Sequence, residues 1–420
     1  MKDKIKKPVR IKPVNNFALL FVLSLFQLVT GFAGANCGDA FEPKVMIALA
    51  LLIATEWVYL IFFYTVFHRR NFELEIIAFF LSGVGLVTIG SKNADAALKQ
   101  YFMILAGILI FIFLMFLLGY VDLCMKLRLY VAIGALLLLL VNLVIAKTTN
   151  GARNWITIGG ITLQPSEFVK VAFIFVGSAT LEKIQTSKNI IAFIGFSMAV
   201  VGSLIIIKDF GTALIFFVTF LIIAFMNSGD IKTIILAVAS AVMGSTIVLK
   251  YRSNIKNRFA VYRHVMEPEF YYSTGYQQSR VLVGLASGGL LGLGIGNGNV
   301  RNIGESTNDL IFGVICEEWG YLFGIALVLS FVCIAVSALM NSIASRSTFY
   351  SIASIASAGM LLFQTALNIF GITDILPLTG VTLPFVSQGG SSMMCCWAVL
   401  AFIKASDVRT YNYLGGAKKK

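Results

Sequence analysis

Between two long apolar runs, residues 150–170 read NGARNWITIGGITLQPSEFVK and bring Arg153, Trp155, Gln164, Glu167 and Lys170 into one short stretch. Pro165 suits the first turn of a helix, and Glu167 falls about where a capping carboxylate would sit. Glu167 and Lys170 are three apart, so on that helix they share a face and can pair. A lysine toward the bilayer centre costs about 2.5–3.5 kcal/mol on insertion scales unless it meets a partner or water, which makes Lys170 a candidate for a polar cavity. The plain alternative is an interfacial Trp155 belt with a snorkelling lysine. A second stretch, GESTNDLIFGVICEEWG from Gly304, sets Glu305 and Asp309 at the mouth of an apolar run and Glu317 with Glu318 deeper in it. Acidic groups so placed are functional candidates, and Asp309 has the chemistry of a general base; the alternative is a solvated aspartate favoured by a helix dipole. Glu317 and Glu318 are adjacent and cannot share a helix face, so at most one readily enters a common site.

Two further polar segments accompany these. The stretch from about 250 to 309 holds Lys250, Arg252, Lys256, Arg258, Arg263, Arg280 and Arg301, interleaved with the aromatics of EPEFYYSTGYQQSR, which also contains Gln277. Such a cationic cluster suits an anionic partner such as a lipid pyrophosphate, although loops this long escape the charge rule for short loops. The run VGLASGGLLGLGIGNGN lacks the βαβ context of a nucleotide site and reads as a short half-helix with a close-packed turn at the membrane surface. The last segment, TDILPLTGVTLPFVSQGGSSMM, has Pro377, Pro384, Ser387, Gly389 and Gly390, and Ser391 or Ser392 can cap the helix that follows. Its N-terminus would offer free N–H groups to an anion, unless it is a plain loop and cap.

The elements that carry these groups are membrane spans. Hydrophobic residues make up 58% of the 420 and only 13% are charged, far from a soluble globular balance. Apolar runs between charged punctuation predict an all-α polytopic membrane protein with about twelve transmembrane helices. They centre on 17–35, 44–67, 73–90, 101–121, 128–147, 166–181, 190–207, 211–227, 232–249, 310–340, 348–372 and 391–405. The first run ends at Ala33-Gly34-Ala35, a passable signal-cleavage site, but a second long span follows at once and an uncleaved helix is expected.

Orientation follows from the short loops. The leader lysines and arginines (2–12), His68-Arg69-Arg70, Lys126 with Arg128, Lys183 with Lys188, Lys232, Arg346 and Lys418–Lys420 all fall on one side of a twelve-span topology, the cytoplasmic one, with both termini. The net charge of +13 is then topology and contact with anionic membrane lipids. No soluble domain is long enough for a nucleic-acid interface, so none is expected. The polar segments at 148–165, 250–309 and 373–390 share the outer face, while the inner loops are short and plain. The six cysteines show neither a disulfide framework nor a metal spacing.

The ordered set NGARNWITIGGITLQPSEFVK, DFGTALI from Asp209, GYQQSRVLVGLASGGLLGLGIGNG, GESTNDLIF with EEWG, and LPLTGVTLPFVSQGGSS resembles the SEDS family, whose best-known members are FtsW, RodA and SpoVE. The resemblance covers roughly residues 73–408. It implies a ten-helix core over 71–410 with a large extracytoplasmic loop at about 250–309. Residues 1–70 add a basic leader and two extra helices, and 411–420 form a basic tail. Departures are Gly304, Asn308 and Gln388, where the family usually has proline, threonine and tyrosine; they bear on substrate fit or partner choice.

The resemblance further implies a peptidoglycan glycosyltransferase that polymerises lipid II at the outer face of the bacterial cytoplasmic membrane, in division, elongation or sporulation, alongside a class B penicillin-binding transpeptidase. Asp309 would be the base, with Lys170 within salt-bridge reach of it. Arg153 and other outer cations would hold the pyrophosphate. Trp155, Gln164, Glu167, Gln277, Arg280, Glu305, Ser387, Gly389, Gly390 and Ser391 would line the substrate site, with room for a divalent cation, Mg or Mn. A lipid II flippase or transporter is the rival from another class, since it also explains many spans and a cationic cavity; a purely structural scaffold is a third.

Overall fold

The computed structural model describes residues 15–411 apart from 39, 150–151, 159–160, 182–186, 233–234, 236–237 and 240–257. The leader, Lys183, the lysine tail, Lys250, Arg252 and Lys256 lie outside the described residues, as does almost all of the ninth expected span. The main elements are α1 (Asn16–Ala35), α2 (Pro43–Thr65), α3 (Glu73–Lys92), α4 (Ala94–Leu117), α5 (Val121–Ile145), β1 (Lys147–Thr149), β2 (Ala152–Ile158), β3 (Ile161–Leu163), α6 (Pro165–Leu181), α7 (Ser187–Ile207), α8 (Phe210–Ser228), α9 (Tyr276–Gly288), α10 (Ile311–Trp319), α11 (Tyr321–Ile343), α12 (Thr348–Ile372) and α13 (Gly390–Ser406). Among the described residues, eight helices are long and apolar enough to cross a membrane, and α8 and α13 are shorter apolar helices.

Helix starts follow local chemistry. The Asn15 side chain accepts from the N–H groups of Phe17 and Ala18, Asn93 from those of Asp95 and Ala96, and Asp209 from that of Thr212, satisfying donors that a first turn leaves orphaned. Helix α13 is buried along nearly its whole length against α4, α6 and α12. Its Trp397 ring sits 5.2–5.8 Å from Phe79, Phe111 and Phe385. Gly85 of α3 lies so close to the Val386 carbonyl that no Cβ would fit, which brings the last outer segment down onto the core.

Two expectations need correction. The tenth span is not continuous: Gly320, at φ 87°, breaks it into α10 and α11, and the N–H groups of Tyr321 and Leu322 bond to the carbonyls of Gly289 and Leu290. The glycine-rich turn therefore wedges where one straight helix was read. The first polar segment is also not irregular but a three-stranded antiparallel sheet, pairing Ile156 with Leu163 and Lys147 with Trp155.

The extra hairpin α1–α2 packs on α3 and α4. It carries its own buried polar pair, Gln27 Nε2 to Glu56 Oε1 at 2.8 Å. At the end of the bundle opposite the sheet, Glu75 receives Arg69, Lys404 Nζ at 3.0 Å and Tyr59 OH at 3.0 Å, all of them buried. Asn71 donates to Asp407 at 2.7 Å beside them. Removing one partner of a buried ion group leaves an uncompensated charge, at a cost of about 3–5 kcal/mol. Glu75→Gln, which strands Arg69 and Lys404, is expected to lower the melting temperature of the detergent-purified chain; an unchanged melting curve would show that the cluster does not stabilise the bundle.

Candidate active site

The three polar segments converge at the sheet end of the bundle. The Gln164 N–H donates to Ser391 Oγ at 3.1 Å, Ser387 Oγ to the Asn308 carbonyl at 2.5 Å, the Gln388 N–H to the Thr307 carbonyl at 2.7 Å, and Arg258 to the Leu378 carbonyl at 2.8 Å. The sheet, the loop before α10 and the segment before α13 therefore form one wall.

Asp309 is half-buried within it. Its Oδ1 is buried without a hydrogen-bond partner among the described residues, and Oδ2 faces Gly380, where an added Cβ would lie 3.5 Å away. Burial pushes its pKa up to about 6, and the nearby Glu305 carboxylate adds to the rise; backbone hydrogen bonding and the Arg258 guanidinium pull the other way. Arg258 feels both Asp309 and Asp209. Asp209, at the start of α8, accepts from Gln164 Nε2 at 3.0 Å and Asn154 Nδ2 at 3.3 Å. Glu305, at φ 62°, is exposed and accepts from Asn308 Nδ2 at 2.5 Å, so one departure from the family pattern bonds to a retained carboxylate.

The expected pairing of Lys170 with Asp309 is not made. Lys170 Nζ, buried in α6, sits 2.7 Å from Glu167 Oε1 and 2.9 Å from Gln364 Oε1. Spacing explains this: the i, i+3 carboxylate on its own helix face captures it. Glu167 accordingly is an ion partner and not a helix cap. Ser391 and Ser392 lie inside the first turn of α13 and do not cap it; Ser391 turns to Gln164 and Ser392 to Thr382 at 2.8 Å. Gly389 is the N-cap, and Gly390 packs on Met103.

The other expected residues make contacts of their own. The Arg280 guanidinium is enclosed by the rings of Tyr271, Tyr276 and Tyr272 at 4.5, 5.3 and 5.7 Å, a cation–π cage. Gln277 is half-buried, while its neighbour Gln278 is buried and donates to the Gly371 carbonyl at 2.7 Å. Trp155 is half-buried on β2. Arg153 is on the same strand; its side chain lies outside the described residues. The hydroxyl of Ser387 is spent inside the wall, donating to Asn308 and accepting from the Leu383 N–H at 2.8 Å.

Glu317 and Glu318 do not divide as their adjacency suggested: both hold backbone of the one segment 296–300, which wraps past α10, Glu317 Oε2 taking the Val300 N–H at 2.8 Å and Glu318 Oε2 the Gly296 N–H at 2.9 Å. Among the described residues no three His, Cys, Asp or Glu side chains gather as metal ligands would. Arg258 figured in the sequence only as one of a cluster of outer cations, and Asp209, Gln364 and Asn368 had no individual role there. The signal for the last two was visible: amides four apart inside an apolar span.

The cell cycle protein family that groups FtsW, RodA and SpoVE matches residues 59–412. The probable peptidoglycan glycosyltransferase FtsW of Bacillus subtilis is 30% identical over 83% of this chain and 93% of its own length. The peptidoglycan glycosyltransferase RodA of Mycobacterium leprae is 28% identical over 60% of this chain, but the match spans only 58% of that protein. A chain from a peptidoglycan synthase complex, described for its coordination of polymerization and crosslinking, shares the fold with a TM-score of 0.67 at 22% identity, over 82% of this chain and 98% of that one.

The Glu167–Lys170 pair yields a test. Lys170→Met alone strands a buried carboxylate and should cost about 3–5 kcal/mol of stability. Adding Glu167→Gln should restore much of the loss, read as non-additive melting temperatures; strictly additive losses would refute the pairing.

Proposed function

The chain belongs to the family of FtsW, RodA and SpoVE, and from that premise we propose that it is a peptidoglycan glycosyltransferase polymerising lipid II. It works in the bacterial cytoplasmic membrane, with its sheet end outward, both termini in the cytoplasm, and a class B penicillin-binding transpeptidase as partner. The observation that carries the reading is Asp309: a carboxylate of raised pKa, unpaired by lysine among the described residues, where three polar segments meet beside Arg258.

In this reaction the Asp309 carboxylate takes the proton of the acceptor sugar's 4-hydroxyl as that oxygen bonds to the anomeric carbon of the donor chain. The bond from that carbon to the undecaprenyl pyrophosphate breaks, and the pyrophosphate leaves with the electron pair. Placement of the base and the leaving-group cations supplies the catalysis. Arg258, on the rim, and Arg153 on the strand are the cations assigned to the pyrophosphate. Lys170 acts differently from the first expectation. Neutralised by Glu167, it shapes the wall and leaves Asp309 basic.

Asp309 is ionised, and so able to accept a proton, only above about 6. With purified chain and lipid II, the acid limb of kcat/KM should have its midpoint near 6, activity falling as pH drops through that value. A midpoint near the ordinary aspartate value of about 4 would refute the buried-base reading. Asp309→Asn should lower polymerisation by about 10²–10⁴-fold at normal abundance. Leaflet exchange of fluorescent lipid II without chain products would instead favour the transporter.

A further inference from the structure

Helix α12 carries two amides, Gln364 and Asn368, in the apolar run LLFQTALNIF. Both are buried at 2% exposure, and at i, i+4 they share one helix face. Polar side chains in a span persist where they are bonded to something that needs them. Here they hold the backbone of another segment. Asn368 Nδ2 donates to the Asp309 carbonyl and to the Val381 carbonyl, each at 2.7 Å. Gln364 Nε2 donates to the Thr382 carbonyl at 2.9 Å and to its hydroxyl at 3.3 Å, while its Oε1 accepts from Lys170.

Two consecutive carbonyls of one strap, residues 380–383, are thus fastened to one helix. Gly380, at φ 71°, turns the strap so that it runs against Asp309 Oδ2. Beyond the carbonyls, the Leu383 N–H is held by Ser387 Oγ, which also grips the Asn308 carbonyl. A continuous path runs from the Glu167–Lys170 pair through Gln364 to Thr382 and Val381, then through Asn368 to Asp309.

We propose that Gln364 and Asn368 are positioning residues that lock the 380–383 strap to α12 and thereby fix the Asp309 carboxylate, a role that rests on Asp309 being the base. Neither amide touches the reacting atoms. Asn368 sets where the Asp309 backbone sits, and Gln364 ties that geometry to the ion pair on α6.

The test separates geometry from activity. In a chain carrying Asp309→Cys, maleimide modification at position 309 is followed by peptide mass spectrometry; Cys395 and Cys396, both buried, stay unmodified while the chain is folded. Adding Asn368→Leu or Gln364→Met should raise the modification rate several-fold. Gln364→Glu keeps an acceptor for Lys170 but loses both donors to Thr382, and should behave like Gln364→Met. With Asp309 intact, Asn368→Leu and Gln364→Met should lower kcat on lipid II by about 10–100-fold with KM little changed. Unchanged modification rates in Asn368→Leu and Gln364→Met, or a Gln364→Glu chain indistinguishable from its parent, would overturn the proposal. A parent chain inactive on lipid II, with modification still accelerated by the amide substitutions, would count against the polymerase reading and for the strap.

Discussion

Irregular backbone near a bilayer has no water to satisfy it and no ladder to join, so each exposed N–H or C=O must find a protein partner at a cost of several kcal/mol if it does not. In this chain the partners are side chains projecting from helices. Carboxylates of α10 take N–H groups of the glycine-rich turn, amides of α12 take carbonyls of the 380–383 strap, and Lys92 at the end of α3 takes the Ile303 carbonyl at 3.2 Å. Gln100 of α4 reaches the Ser387 carbonyl at 3.2 Å, and Gln278 of α9 reaches Gly371. The outer wall is thus held down because the helices beneath it are polar at chosen points, and these polar residues answer to particular loop atoms.

That arrangement also decides the charge at the site. A lysine next to the base would have lowered its pKa and left a weaker base. Lys170 is instead satisfied within α6 and by Gln364, and at Asp309 backbone hydrogen bonding and Arg258 offset only part of the effect of burial and Glu305. The opposing influences identified from residue types alone, burial against a cation, resolve in favour of burial because the nearest acceptor to Lys170 lies one turn away along its own helix.

Much of this was readable from residue order. Runs such as 44–67 and 348–372 announced α2 and α12 by length and hydropathy, and the i, i+3 spacing of Glu167 and Lys170 announced their pair. The three polar segments were expected on one face, and they do meet. What escaped were matters of partner choice over long separations. Gly320 gave no hint that the turn at 289–292 would wedge beside it, because that contact is made by backbone. The strand pairing of 147–163 was hidden by its short elements. The tyrosines around Arg280 were in plain view at 271, 272 and 276, yet spacing could not say whether the guanidinium would face them or a ligand. Gln364 and Asn368 stood out as amides in an apolar run, but the carbonyls they serve come from segments brought in by the fold.

The buried cluster at the far end of the bundle has a consequence for how the chain is made. Glu75 and Lys404 are separated by 329 residues, and Asn71 and Asp407 by 336. Ribosomal synthesis delivers the carboxylate early, with only Arg69 and Tyr59 beside it, and the ammonium last. Closure of the bundle is thus a late, non-local event that every preceding helix must await. The final helix, threaded along the centre and clasped by residues at the entry to the third, serves as the keystone of assembly.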